Sequence, residues 1–236
     1  DSTQWDILKR YSEPLMILYE QLILHAARGR IFHNDDTNSK ILDLIKENKG
    51  ADPPKRKGMF TSAIVSVKDQ RKIILFFTGR KYAGENLKRV LDNKRGTEPS
   101  TPLLMCDGLV SRNLPKELPE YIRIVLALCL VHFRRKYVDL TDSFPEECMH
   151  VIDEIAKVYK VEKEIKTQGL DDKQRLLVHQ AKSKPVMNAL EKWLDKKMKN
   201  KEVEPNSPLD TTLHQGHCLF ILPSRIIPQS GTSFEF

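Results

Sequence analysis

Apolar residues recur at near-helical spacing through the first 28 positions, at Trp5, Leu8, Leu15, Leu18, Tyr19, Leu22 and Ile23. That period predicts a helix over 2–28, capped by Ser2 or Thr3 and kinked or divided at Pro14. A short apolar run at 30–35 predicts a strand, and 40–47 a helical or irregular continuation. Residues 49–57 (KGADPPKRK) form a polar, proline-bearing loop. The runs 59–67 and 72–78 are rich in Ile, Val, Phe and Thr, and Lys68-Asp69-Gln70-Arg71 between them predicts a β-hairpin. Residues 84–91 suit a short amphipathic helix, 93–102 a Gly/Pro/Ser/Thr loop, and 103–106 a strand. The apolar run 121–128 reads as a strand or as the start of a buried helix.

From Cys129 to about Lys199 the pattern turns helical. Val151, Ile155, Val158, Tyr159 and Ile165 form one stripe; Leu176, Leu177, Met187, Leu190 and Leu194 form another. Both stripes are expected to face a core. Gly169 separates the two helices, with Asp171 or Asp172 capping the second. The order helix, strand, hairpin, helix, strand, strand, helical block predicts an α/β chain. Its mixed sheet would have two antiparallel partners and a helix crossing to a parallel strand.

Two of the predicted strands end in a carboxylate, Arg30-Ile31-Phe32-His33-Asn34-Asp35 and Leu103-Leu104-Met105-Cys106-Asp107-Gly108. Side by side, they would bring Asp35 and Asp107 to one rim, a natural place for a divalent metal and phosphoryl transfer. Alternatively each aspartate merely opens a turn, as Asp-Gly often does.

Charge adds a second theme. The chain of 236 residues carries a net +7, and residues 51–100 hold twelve Lys/Arg against five Asp/Glu. Such a block suits a polyanion-binding face, with Lys55, Arg56 and Lys57 at its start, or equally a solvated surface. Residues 151–200 add twelve basic against eight acidic side chains. Cys106, Cys129, Cys148 and Cys218 are widely spaced without a CxxC pair, which suits a reducing compartment better than disulfides or a four-cysteine zinc site. No run of 18 apolar residues occurs, so no membrane-spanning helix is expected. The chain begins without Met or a signal-like segment, as an interior piece of something longer would. Neither GxxxxGK[ST] nor GxGxxG is present, and Asp35-Asp36-Thr37 lacks the alternating carboxylates of aspartate-based phosphatases.

The motifs combine into a specific resemblance. The amphipathic first helix with Trp5 leads to His33-Asn34-Asp35-Asp36-Thr37. Met105-Cys106-Asp107-Gly108 follows, and then Cys129-Leu130-Val131-His132-Phe133-Arg134-Arg135-Lys136-Tyr137. In order and spacing, residues 1–209 resemble the catalytic region of insertion-sequence-66 family transposases. The resemblance implies a ribonuclease-H-like mixed sheet with flanking helices, a core over 1–128 and a helical insertion over 129–209. It also implies a D-D-E site for Mg²⁺ or Mn²⁺ that cleaves and transfers strands at transposon ends and target DNA. The protein would be bacterial, cytoplasmic and nucleoid-associated, and could act as a homo-oligomer. Asp35 matches the first catalytic aspartate and Asp107 the second. Asp36 is Asp35's neighbour; on a strand the two face opposite ways, so one of them reaches the metal directly. The plainer role for Asp36-Thr37 is a turn, or a cap for the segment that follows.

Cys129 and His132, three residues apart, could hold half a zinc site. No companion CxxC appears, so a structural Cys and a His hydrogen-bonded near the active site are the preferred reading, and the resemblance implies that His132 supports the site or contacts phosphate. Arg134, Arg135 and Lys136 either contact DNA phosphates or line a solvated helix face. The resemblance stops at Leu209. Residues 210–236 contain neither the Asp-Asn-Asn stretch nor the downstream Glu-Arg that supplies the family's third acid, and read as a divergent, poorly ordered tail. Two functions follow: a metal-dependent DNA transposase that is incomplete here, or an inactive remnant that binds DNA nonspecifically.

Overall fold

The computed structural model describes residues 2–47, 56, 58–94, 96, 99–108, 110–200 and 202–214. The chain divides into two compact units, Asp1–Ala127 and Leu128–Phe236.

In the first unit, α1 (Ser2–Ala26) precedes β1 (Ile31–Lys40) and the short α2 (Leu42–Glu47). The hairpin β2 (Gly58–Lys68) and β3 (Arg71–Gly79) comes next, followed by α3 (Ala83–Leu91), β4 (Leu103–Cys106), α4 (Val110–Asn113) and β5 (Val125–Leu128). The strands form one five-stranded sheet in the order β3-β2-β1-β4-β5. β1 is antiparallel to β2 and parallel to β4, as a helical crossover through α3 requires. The hairpin turns on Asp69 and Gln70, with Asp69 in the left-handed region at φ 54°.

One sheet face is the core. Phe32, Phe60, Ile64, Leu75, Phe77, Leu104 and Cys106 are buried there, as are Ile23 and Ala26 of α1 and Leu87 and Val90 of α3, the two helices that pack against the strands. α1 is held by its last turns: Tyr19 donates to the Phe76 carbonyl at 2.8 Å, and Glu20 pairs with Arg89 at 2.7 Å. The helix runs from Ser2 to Ala26 through Pro14, so it is not divided there. It exposes Trp5, Leu8, Leu15 and Leu18 along its length, on both sides of Pro14. β1 is also longer than the apolar run predicted, because Asp36–Lys40 pair with Ser62–Gly58 despite their polarity.

The second unit is helical: α5 (Leu130–Val138), α6 (Pro145–Gln168), α7 (Asp172–Val178) and α8 (Lys184–Lys199), with a π turn at His179–Ser183 between the last two. Val151, Ile155, Leu190 and Leu194 pack with Phe133, Tyr137, Cys148, Leu209 and Leu213. Gly169 ends α6 at φ 62°, and Asp171 caps α7 by accepting from the Gln174 amide at 2.8 Å. Leu176 and Leu177, expected in the second core stripe, are exposed instead. The π turn lies between them and Leu190 and breaks the helical period, which rotates α7's apolar face off the α8 stripe. Residues 208–214 are helical with Leu209 and Leu213 buried, so the tail boundary expected at Leu209 falls inside an ordered segment. Residues 215–236 lie outside the described residues.

Candidate functional site

The parallel register of β1 and β4 sets the geometry. Phe32 lies opposite Leu104 and His33 opposite Met105. Asp35 lies two residues beyond His33, and Asp107 two residues beyond Met105, just past the end of β4; the same register continued would set the two level. Neighbouring strands lie about 4.8 Å apart, so such a continued register would set the two backbones about that far from each other. Phe32, Asn34 and Asp36 point toward the core face, whereas Asp35 points with Ile31 and His33 toward the open face. Asp35 is exposed there.

Asp36 has different work. Its Oδ1 accepts from the Ser62 hydroxyl at 2.6 Å and its Oδ2 from the Ala83 amide at 2.8 Å, the first N–H of α3. A carboxylate at a helix amino terminus satisfies an otherwise unpartnered donor and complements the dipole. It therefore caps a helix, though one almost fifty residues downstream rather than the segment that follows it.

Asp107 is held by Asn113, a residue that no motif singled out. The Asn113 side-chain amide donates to Asp107 Oδ1, and the Asn113 carbonyl accepts from Asn34 Nδ2 at 2.8 Å. Asn34 and Asn113 are both buried, and their amide oxygens carry no hydrogen bond among the described residues. An Asn beside the first Asp and another six residues after the second were the available signal. Gly84 of α3 keeps this corner tight, since a Cβ there would stand 2.8 Å from the Arg112 carbonyl oxygen and 2.6 Å from that of Leu114.

The donor set fits a hard cation. Two carboxylates would offer oxygen ligands of the kind Mg²⁺ takes, and Mg²⁺ retains waters where protein ligands are few. Among the described residues, no group of three or more His, Cys, Asp or Glu side chains stands where it could share a metal. The same holds for Cys129, which precedes the first turn of α5, and His132 on that turn, so no zinc cluster forms around them among the described residues.

The basic residues separate into several settings. Arg56 bonds the Arg80 carbonyl at 2.5 Å and Glu85 at 2.6 Å, and its guanidinium lies 3.9 Å over the Tyr82 ring. Burial raises the Glu85 pKa, but the bonds from Arg56 and the Tyr82 amide outweigh it and hold the carboxyl below its ordinary value. Arg56 thus fastens its chain segment to the start of α3. Lys55 and Lys57 lie outside the described residues. In the second unit, Arg134 and Arg135 line an open groove of about 570 Å³ with Val131, Val138 and Tyr159. Lys136 follows them on α5. No helix among the described residues is long and apolar enough to cross a membrane.

The model for the transposase IS66 family matches residues 1–218, continuing beyond Leu209, where the resemblance was expected to stop. Two curated relatives come from Sinorhizobium fredii (strain NBRC 101917 / NGR234). The chain is 30% identical over 145 residues to the uncharacterized protein y4jD, covering 60% of this chain and 24% of that protein. It is 27% identical over 158 residues to the uncharacterized protein y4hP, covering 57% of this chain and 28% of the relative. The chain thus spans about a quarter of the length of these relatives. No solved structure is a significant match.

Proposed function

Because the chain belongs to the transposase IS66 family, we propose that it supplies the catalytic core of a D-D-E DNA transposase, with Asp35 and Asp107 as two of its three acids. The observation that supports this reading is the parallel register of β1 and β4, which, continued two residues past His33 and Met105, would set both aspartates level at one sheet end. A sheet order of β3-β2-β1-β4-β5 with one antiparallel hairpin and a parallel neighbour supports a ribonuclease-H-like reading of the fold. Asp35 and Asp107 would hold Mg²⁺ or Mn²⁺. When bound, such an ion polarises phosphoryl oxygens and lowers the pKa of a bound water.

The chain's own residues prepare that rim. Asp35 presents its carboxylate on the open sheet face, Asn113 orients Asp107, and Asp36, with both oxygens engaged, serves α3. The third acid is assigned to no residue of this chain. DNA is the substrate class, and phosphate contacts are assigned to Arg134, Arg135 and Lys136, with His132 on the same helix as a supporting residue. The cell compartment is the cytoplasm. The competing reading is a remnant that binds DNA without cutting it.

Strand cleavage of duplex DNA with Mg²⁺ or Mn²⁺, compared between this chain and Asp107→Ala, separates the two. Cleavage that disappears in the variant supports the enzyme; no cleavage by either protein favours the remnant.

A further inference from the structure

At the sheet end opposite Asp35 and Asp107 lies a second polar feature. The residues just before β1, the end of β2 and the loop leading into β4 enclose a cavity of about 1050 Å³. Among the described residues, its walls carry Arg28, Arg30, Lys68 and Lys94, together with Ser100 and Thr101, and no carboxylate. These cations come from three stretches of chain that the fold draws together. The Arg30 amide donates to the Val67 carbonyl at 2.9 Å, which sets Lys68 beside Arg30, and Lys94 Nζ donates to the Ser100 hydroxyl across the mouth of the loop.

Among the described residues, none of the four cations has an ion pair. Elsewhere in the first unit, some cations are paired: Arg56 with Glu85, Lys88 with Asp92, Arg89 with Glu20. Four positive charges around one concavity repel one another, and low-dielectric walls concentrate their field. Lys94 registers this directly, since burial and the charge of Lys68 both lower its pKa. An anion seated among them would remove the repulsion. The volume exceeds what one phosphate ion fills, and the charges are spread along a rim, which suits several phosphates of one strand.

We propose that this cavity binds the phosphodiester backbone of nucleic acid, at a place separate from the carboxylate rim. Only the identity of the polyanion rests on the transposase reading; the anion site itself does not. Binding there would position DNA on the core without taking part in chemistry.

The test is binding of a random-sequence DNA duplex in EDTA, so that no metal or cleavage enters, measured as a function of salt. The variant replaces Arg28, Arg30, Lys68 and Lys94 with Gln. A control of equal net charge replaces Lys160, Lys163, Lys173 and Lys192, all exposed in the second unit, with Gln. In the cavity variant, the slope of log K against log salt is expected to flatten by about 0.9 for each phosphate no longer neutralised, and to change less in the control. Equal slopes and affinities in variant and control would overturn the proposal. Should inorganic phosphate raise the melting temperature of the wild type while the variant's duplex binding stays intact, the cavity takes a small anion and the proposal also fails. The pair Arg28→Gln/Lys68→Gln alters only exposed side chains, so it provides the same reading if the fourfold variant fails to fold. Loss of cleavage in Asp35 or Asp107 variants would leave this measurement untouched.

Discussion

Asn113 donates its side-chain amide to Asp107 while its carbonyl accepts from Asn34, the residue immediately before Asp35. Two strands that meet at the rim are thereby cross-braced by one buried residue. Partners of this kind orient metal ligands, and losing them typically costs about 10–100-fold in metal affinity. Asn113→Ala is therefore expected to weaken Mn²⁺ binding by that order, as followed by the electron paramagnetic resonance of free Mn²⁺. Unchanged affinity would show that Asn113 does not orient Asp107.

Asp36→Ala removes two acceptors at once, leaving the buried Ser62 hydroxyl and the Ala83 amide to find other partners. The orphaned Ser62 hydroxyl costs about 1–3 kcal/mol and the lost cap on the Ala83 amide about 1 kcal/mol, so urea unfolding of the chain is expected to show a loss of about 2–4 kcal/mol. Mn²⁺ affinity is expected to stay within about twofold in variants that remain folded, because Asp36 faces the core side. A loss of roughly tenfold or more, the size expected of a residue that orients a metal ligand, would give Asp36 a share in the metal site.

Gly84→Ala forces a methyl against the Arg112 and Leu114 carbonyls, both backbone atoms that cannot swing away. Overpacking of this sort costs about 1–3 kcal/mol, and the displaced segment carries Asn113. Unfolding and Mn²⁺ titration of the same variant are expected to change together. A loss of stability with full metal affinity would uncouple α3 from the rim.

In the second unit, Glu162 sits among His179 at 3.0 Å, Arg175 at 3.0 Å and Lys166 at 3.3 Å. Burial pushes its pKa up, but the bonds from His179 and Lys166 and the charge of Arg175 carry it below the ordinary 4.5. A depressed folded pKa contributes stability above about pH 4.5 that disappears as pH falls through the folded value. Glu162→Gln is expected to flatten the acid side of the thermal-stability profile below that pH. A profile parallel to wild type would remove Glu162 from the acid response.

Local signals were legible in the sequence, and non-local ones were not. The hairpin around Asp69-Gln70, the strand Leu103–Cys106 and the cap at Asp171 each depend on a few adjacent residues, and all three are present. The extension of β1 from Asp36 to Lys40 depends on β2, so its polar sequence concealed it. The exposure of Leu176 and Leu177 follows from a π turn that no helical period anticipates. At the site, alternation along the strand separated Asp35 from Asp36. Asn113 and the cluster of Arg28, Arg30, Lys68 and Lys94, by contrast, arise only when distant segments fold together.

If Asp35 and Asp107 share one divalent ion, Mn²⁺ titration of the chain reveals it without any need for cleavage. Wild type, Asp35→Asn, Asp107→Asn and the double variant would be compared by the resonance of free Mn²⁺. A shared ion predicts that either single substitution weakens the same site and that the double variant loses little more, since groups around one ligand are not additive. Mn²⁺ binding that neither substitution disturbs, or that each reduces independently at a separate site, would rule out a shared ion.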